Sequence, residues 1–556
     1  MEEKNSRNGA TDKRKFAQSD APCEVVHEKK YPKGIRFILL TLALMLAIFI
    51  MALDTSIIST AIPSITSEFH SLDDIGWYTS AYLLPLMSLQ PMFGKIYTFF
   101  TIKPLLIASM LVFECGSIIC AIAPSSYVFI IGRVVAGVGA ASIYAGGTII
   151  ITSAVPLRKL SMYLSALSSM YAVANLSGPP LGGIFTDSAK LTWRFCFWIN
   201  LPLGFISIAA FVFILQEPER ETVQISWKTK LSKVDLGGTT LFVSSVILLF
   251  IALKFGGNES PWKSPRVIVC FVLSGVFLGA FIILQRHLKE DATIPPRIFL
   301  NRSVASSVLV AALLSLGCNV HTFYLPFYFQ SAKGTSASKS GLRLLPYTLS
   351  LTGAELVVGT SSSLIGVFLP FMYFGTSLFA IAGGLLCLLK VQTTTARIIG
   401  YQILAGVGVG SSMQLCATSV RAAVNHSDIP IAATLTIFAP FFGSAIGAAI
   451  SQNIFRIELR RGLAKIMTAK DALEVFDAGG AGVDRITSAI NKGQVRESYN
   501  FALSKTFMIA AVAGGVAFLL TLCIKWRTLK QKAESREEDV PKQLQEQHGK
   551  IESHTV

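Results

Sequence analysis

The chain has 556 residues, 52% of them hydrophobic and only 15% charged, with a mean hydropathy of +0.56. A soluble domain carries roughly 25% charged residues, so an ordinary cytosolic enzyme, a disordered protein and a disulfide-stapled secreted scaffold are all excluded. The formal charge of +16 points to nucleic acid or a membrane surface; the basic residues lie between apolar blocks, which favours the membrane and leaves no role for nucleic acid.

The first 36 residues are polar and mixed in charge. No apolar core with a small-residue cleavage site opens the chain, so a cleaved signal peptide is not expected, and neither end carries a lipidation motif. The first apolar block, from Phe37, is expected to act as the insertion signal.

A bilayer core of about 30 Å needs about 20 apolar residues per helix. That ruler predicts an all-α polytopic membrane protein with about fourteen spans, near 37–60, 77–98, 105–123, 128–151, 161–184, 195–215, 236–254, 266–284, 304–328, 342–365, 371–390, 398–418, 431–453 and 505–525. The second, with Pro85 and Pro91, and the tenth, rich in Ser and Gly, depart most from a plain apolar helix. The loops and tails on the amino-terminal side hold most of the Lys and Arg outside segment 454–504. Loop 58–76 on the other side has none, but has Glu68, Asp73 and Asp74. The positive-inside rule then puts both tails in the cytosol.

Arg133-Val-Val-Ala-Gly-Val-Gly-Ala140 resembles Gln402-Ile-Leu-Ala-Gly-Val-Gly-Val409. The match makes spans four and twelve equivalent members of two six-helix repeats, a common transporter plan, with two helices inserted between them. The expected organisation is a polar tail 1–36, an N-terminal bundle 37–215, a linker 216–235, inserted helices 236–284, a linker 285–303, and a C-terminal bundle 304–525 followed by the tail 526–556. The long segment 454–504 is expected outside, with Arg456–Met467 either a short interfacial helix or a solvated loop.

Charges inside apolar spans are costly and mark function by default. Asp54 and Arg133 fall at similar depth, counted at about 1.5 Å per residue, and can pair. They form either a static ion pair or a proton switch, since burial and a nearby cation move a carboxylate in opposite directions. Glu114 has no obvious partner and reads as a buried structural acid or a proton carrier. Gly137 and Gly139 in span four, and Gly178, Gly182 and Gly183 in span five, permit close helix approach, and Pro179 adds a kink. Trp77, Tyr78 and Tyr82, and Phe323, Tyr324 and Tyr328, are either interfacial aromatics or cavity lining. Asn175 and Gln414 join them as cavity candidates. Asn258 is the one sequon residue placed in an external loop.

No phosphate-binding loop and no metal-ligand cluster appears, so neither enzymatic activity, a cofactor nor a metal is expected. The nine cysteines form no C-x-x-C pair and read as small buried residues.

Leu53-Asp-Thr-Ser-Ile-Ile-Ser-Thr-Ala-Ile-Pro63, Gly132-Arg-Val-Val-Ala-Gly-Val-Gly-Ala140 and Ser177-Gly-Pro-Pro-Leu-Gly-Gly183 together resemble the major facilitator superfamily, in its fourteen-span drug:proton antiporter branch. Trp193-Arg-Phe-Cys-Phe-Trp-Ile-Asn-Leu-Pro-Leu-Gly204 is similar to that branch before span six, and Gly94-Lys95 with Phe113-Glu-Cys-Gly116 resembles fungal toxin-efflux members. Tyr324-Leu-Pro-Phe-Tyr-Phe-Gln330 and Ser340-Gly-Leu-Arg-Leu-Leu-Pro346 extend the likeness into the second half. The resemblance implies a rocker-switch transporter of the plasma membrane that exports small hydrophobic compounds, such as a fungal secondary metabolite or a drug, against protons. It assigns Asp54 and Arg133 to coupling or locking, and Gly178, Pro179, Gly182 and Gly183 to the antiporter motif. The loop after span two departs from the pattern, keeping only Gly94, Lys95 and Lys103. A proton symporter importing a siderophore or nutrient shares the fold, and a non-transporting receptor is the reading from another class.

Overall fold

The computed structural model describes residues 35–70, 74–188, 190–215, 234–256, 261–289, 292–335, 337–425, 428–468 and 492–526. Among these there are long helices and no β-strand. The N-terminal half comprises α1 (Ile35–Phe69), α2 (Ile75–Ser88), α3 (Gln90–Phe99), α4 (Ile102–Ala121), α5 (Ser126–Ala154), α6 (Leu157–Asp187), α7 (Phe195–Trp198) and α8 (Asn200–Ile214). A hairpin of α9 (Leu236–Phe255) and α10 (Pro265–Leu288) follows, then the short α11 (Pro296–Phe299). The C-terminal half comprises α12 (Arg302–Phe327), α13 (Ala337–Leu342), α14 (Leu345–Ile365), α15 (Leu369–Cys387), α16 (Thr395–Gly410), α17 (Met413–Ala423), α18 (Ile429–Leu463) and α19 (Lys492–Leu522).

Eleven of the described helical segments are long and apolar enough to cross a membrane, as an all-α polytopic membrane protein requires. The three other expected spans are helical too. At the second, the rod breaks at Leu89 into α2 and α3, because Pro91 has no N–H to donate to the preceding turn. At α6 and α14, serine, threonine and glycine dilute the apolar character. The segment Arg456–Met467 is neither a separate interfacial helix nor a loop from its start: α18 runs unbroken to Leu463. Likewise α19 begins at Lys492, so both helices extend into the stretch 454–504 expected to be a loop, and 469–491 lies outside the described residues.

Each half packs around its own core. In the first, α1 lies on α6 and α4 on α5; in the second, α12 lies on α18 and α19, and α15 on α16 and α19. The two Ala-Gly-Val-Gly copies pack alike. A Cβ at Gly137 would overlap the carbonyl of Tyr82, and one at Gly406 the carbonyl of Tyr347. Gly139 meets the backbone of Phe113 as Gly408 meets that of Phe379. Small residues here let two backbones approach to contact, and the same approach recurs in both halves.

The halves meet along α6 with α14 and α17, and along α3 and α5 with α18. The face of the bundle where α1 begins is called proximal here, and the opposite face distal. Contacts between the halves gather near the proximal ends. Ser161 on α6 hydrogen-bonds Ser362 and Ser363 on α14, both at 3.1 Å. Gly359 lies so close to Ser165 that a Cβ would overlap its hydroxyl. Arg421 of α17 donates to the carbonyl of Val155 at 3.1 Å. Gly94 of α3 leaves just enough room for Thr434 and Pro430 at the start of α18.

Candidate functional site: a buried ion pair beside a central cavity

Two features organise the interior. The first is polar and lies within the N-terminal half. Arg133 Nη1 donates to Asp54 Oδ2 at 2.5 Å, and both side chains are fully buried. The Arg133 Nε donates to the carbonyl of Tyr78 at 3.0 Å, and its guanidinium carbon sits 4.4 Å from the ring centre of Tyr82. The Tyr82 hydroxyl turns away to the carbonyl of Met51 at 3.1 Å. Asn200 Nδ2 lies 3.1 Å from the other Asp54 oxygen and 3.1 Å from Ser117 Oγ. Three helices, α1, α5 and α8, thus meet at one carboxylate, and α4 joins them through Ser117 and Asn200. A charge this deep is tolerated only when paired and hydrogen-bonded, and this one is both. Yet Arg133 Nη2 and Asn200 Oδ1 have no partner, so the network is incompletely satisfied.

Glu114 lies one helical turn before Ser117 on α4. Neither of its carboxyl oxygens has a hydrogen-bond partner, although the residue is only 7% exposed. Its carboxyl fills the space left by Gly204, where a Cβ would overlap it. Glu114 therefore neighbours the Asp54 network without bonding to it.

The second feature is a cavity of about 670 Å³ between the halves. Tyr144 and Thr148 of α5 and Ser168, Tyr171 and Asn175 of α6 line one wall. Tyr347 and Glu355 of α14, Gln414 of α17 and Phe441 of α18 line the other. It extends to Gly341 and Leu344, before α14 at the distal end. Towards the proximal face it is stopped by the Ser161, Gly359, Arg421 and Thr434 contacts. The described contacts thus shut the cavity off at the proximal face. Tyr144 meets Tyr171 and Phe441 edge-to-face, at centroid distances of 5.6 and 5.9 Å, and the latter two rings are tilted at 6.3 Å, a cluster across the two halves.

Of the cavity residues expected from the sequence, only Asn175 and Gln414 reach the wall. Tyr78 and Tyr82 are buried against the Arg133 network instead, and Trp77 packs with Leu84, Met87 and Val246 beside α9. Tyr324 and Tyr328 are core residues of the C-terminal half, with Tyr328 donating to the carbonyl of Lys390 at 2.9 Å. Phe323 faces outward and is 55% exposed. Tyr78, Tyr82, Tyr324 and Tyr328 thus fill the interior of one half and Phe323 its outer surface, while Trp77 joins a cluster that also holds Phe438 and Phe441 of α18; none of them is a wall residue of the cavity.

Gly178 and Gly182 abut Ser56, Ile57 and Thr60 on α1, where a Cβ at either position would overlap side-chain or backbone atoms. Gly183 has open space around it, which separates it from its neighbours. Pro179 lies within α6, which stays helical through it. Lys95 is buried beside Gly94. Asn258 lies outside the described residues. No group of three or more His, Cys, Asp or Glu that could hold a metal occurs among the described residues.

Comparison with known proteins decides the family. A Major Facilitator Superfamily profile matches residues 44–450. The chain belongs to the Major Facilitator Superfamily. Among relatives of this superfamily member, MFS-type efflux pump MFS1 of Arthroderma benhamiae is 36% identical over 93% of the chain and 96% of the relative. Efflux pump roqT of Penicillium rubens is 37% identical over 88% and 91%, respectively. Efflux pump aunC of Aspergillus niger is 38% identical over 89% and 87%. Among solved structures, the proton:xylose symporter XylE superposes with a TM-score of 0.57 at 13% identity, covering 88% of this chain and 97% of that one. The human organic anion transporter MFSD10 gives 0.54 at 12% identity, covering 88% and 100%. At such identities the structural likeness speaks for the superfamily fold alone.

Asn200, Tyr144, Tyr171 and Phe441 are the site residues that sequence reasoning missed. Asn200 sits in the quoted Trp193–Gly204 stretch, where Arg194 and the indoles of Trp193 and Trp198 are the other N–H-bearing side chains, so an amide in this apolar text was a usable signal. The three aromatics offered none, because the chain has 37 Phe and 14 Tyr in apolar text.

Proposed function

We propose that this superfamily member is a proton-coupled efflux transporter of the plasma membrane, exporting small hydrophobic compounds such as a fungal secondary metabolite or a drug. The observation that carries the reading is the cavity between the two halves, closed at the proximal face and reaching the distal one. With both termini cytosolic, the distal face is external and this is the outward-facing state of an alternating-access cycle. A volume of about 670 Å³ suits a drug-sized ligand, since such sites run from about 300 to 1,000 Å³. Export, rather than uptake, is supported by relatives named as efflux pumps at 36–38% identity.

In this reading Asp54 is the proton-carrying group and Arg133 sets when it loads. Arginine keeps its charge throughout, so it biases the carboxylate without carrying the proton. Outward-to-inward rearrangement changes the contact between them and moves the carboxylate between a paired and an unpaired environment. Glu114 is the second candidate carrier. Gly178 and Gly182 keep α6 seated on α1 while the halves rock, and Gly94 and Lys95 belong to the proximal seal. Asn258, between α9 and α10 in the sequence, then falls on the external side and is the sequon residue open to glycosylation.

The reading is tested by reconstituting the protein in vesicles with an imposed pH gradient. Uphill movement of a hydrophobic dye against the proton flux supports it. Movement together with protons would make the protein a symporter, and no movement of any compound tested would favour a receptor.

A further inference from the structure

Among the described residues that line the cavity, one carries a carboxyl group and none carries a Lys, Arg or His side chain. That acid is Glu355, on α14 and 5% exposed. Its carboxyl is faced by the side chains of Gln414, from α17, and Ser168, from α6 of the other half. The Gln414 amide in turn donates to the Ser168 hydroxyl, and the Tyr144 hydroxyl lies against the same serine. Glu355 therefore sits where the halves touch, at the head of a small polar cluster, and is the one charged side chain among the described lining residues. Among the described residues it forms no ion pair.

A buried carboxylate with no counter-charge is costly unless something compensates it. Amide and hydroxyl neighbours hydrogen-bond it but bring no positive charge. The aromatic wall adds to this. Tyr144, Tyr171 and Phe441 line the cavity, and Tyr144 lies within electrostatic reach of Glu355. Aromatic faces attract a cation most strongly where water is excluded. An acid and a set of ring faces, with no basic side chain, favour a positive ligand and repel a carboxylate.

We propose that Glu355 is the anchor for a protonated amine on the transported molecule, with the Tyr144, Tyr171 and Phe441 rings receiving the aromatic or apolar body to which that amine is attached. The inference rests on reading the cavity as the substrate site and adds the ligand's chemical class. An amine that pairs with Glu355 competes with Gln414 for the carboxylate. It thereby loosens the Gln414–Ser168 bond that ties the two halves at the cavity wall.

The test compares two flat aromatic probes of similar shape, proflavine, a cation at neutral pH, and diaminoanthracene, its uncharged carbon isostere. Binding of each to the purified full chain is followed by fluorescence, for wild type and Glu355→Gln. Removing one partner of a desolvated ion pair predicts proflavine binding weaker by about thirtyfold or more, with diaminoanthracene within about twofold. Unchanged binding of the neutral probe also shows that the variant is folded. Equal loss for both probes, or no loss for proflavine, overturns the anchor. So does loss by Glu355→Gln of pH-driven transport of diaminoanthracene, because Glu355 is then a proton site. If wild type binds proflavine through Glu355 but transports neither probe, the anchor stands and the efflux reading falls.

Discussion

Arg133 and Asp54 meet at 2.5 Å in the middle of the N-terminal half, with no part of either side chain open to solvent. Removing the guanidinium leaves a buried carboxylate without its cation, and breaking such a pair costs about 3–5 kcal/mol. Arg133→Ala is therefore expected to lower thermal stability in detergent sharply. Asp54→Asn keeps the shape and the Asn200 contact but leaves the guanidinium buried without its anion, so it too should lower stability. Adding Asp54→Asn to Arg133→Ala should recover part of the loss, read as the shift in unfolding temperature across the four proteins of the cycle. A purely additive pair of effects would deny the coupling.

Gly178 and Gly182 touch α1, whereas Gly183 faces open space. Overpacking a tight helix contact costs about 1–3 kcal/mol. Gly178→Ala and Gly182→Ala should each reduce yield, stability and transport, and Gly183→Ala should leave all three near wild type. Equal tolerance at the three positions would show that the α1–α6 contact is not tight.

The proximal seal is built from hydroxyls rather than charges. Replacing Ser161 and Ser362, whose oxygens are 3.1 Å apart, by cysteines should allow an oxidant to lock α6 to α14. The oxidised double variant is expected to bind ligand from the distal side but not to transport, with activity returning on reduction. Full transport while crosslinked would mean that this contact does not open during the cycle.

At the distal face, Glu68 accepts from Trp193 Nε1 at 2.6 Å and pairs with Arg194 at 2.8 Å. Partial burial alone would raise its carboxyl, but the hydrogen bonds from Trp193 and Arg194 and the guanidinium charge outweigh that and hold it below the ordinary value of 4.5. A carboxyl lowered on folding contributes stability above pH 4.5 and loses it as the pH falls below that value. Wild type should thus be slightly more stable than Glu68→Gln at neutral pH, with the gap closing on acidification below that point. Since the Glu68 side chain is 44% exposed, the effect is small. A gap that widens on acidification would contradict the pairing.

Asp54, Arg133 and Glu114 were legible in the sequence because a charge within an apolar run is too costly to be accidental. The helices were legible for the same reason: long apolar blocks have few other ways to cross a bilayer. What faces the cavity was not. A helix such as α1 is apolar all the way round, so no polar stripe marks which side meets the other half. Tyr144 and Tyr324 look alike in the sequence, yet one lines the cavity and the other fills a core. Only the packing of α5 and α6 against α14 and α18 separates them. Glu355 is likewise a charge within an apolar span, but its meaning depends on Gln414 and Ser168, far away in the chain. The repeat, by contrast, was readable from Ala-Gly-Val-Gly alone, because close backbone approach at Gly137 and Gly406 admits few residues.

The most direct test of proton coupling is transport by Asp54→Asn in proteoliposomes, comparing substrate exchange at equal pH with uphill transport driven by a pH gradient. Exchange needs the cavity and the rocking motion, while uphill transport also needs a group that loads and releases a proton. The account predicts that Asp54→Asn retains exchange and loses gradient-driven accumulation. Accumulation at the wild-type rate would contradict it and place the proton site elsewhere, with Glu114 the first residue to replace.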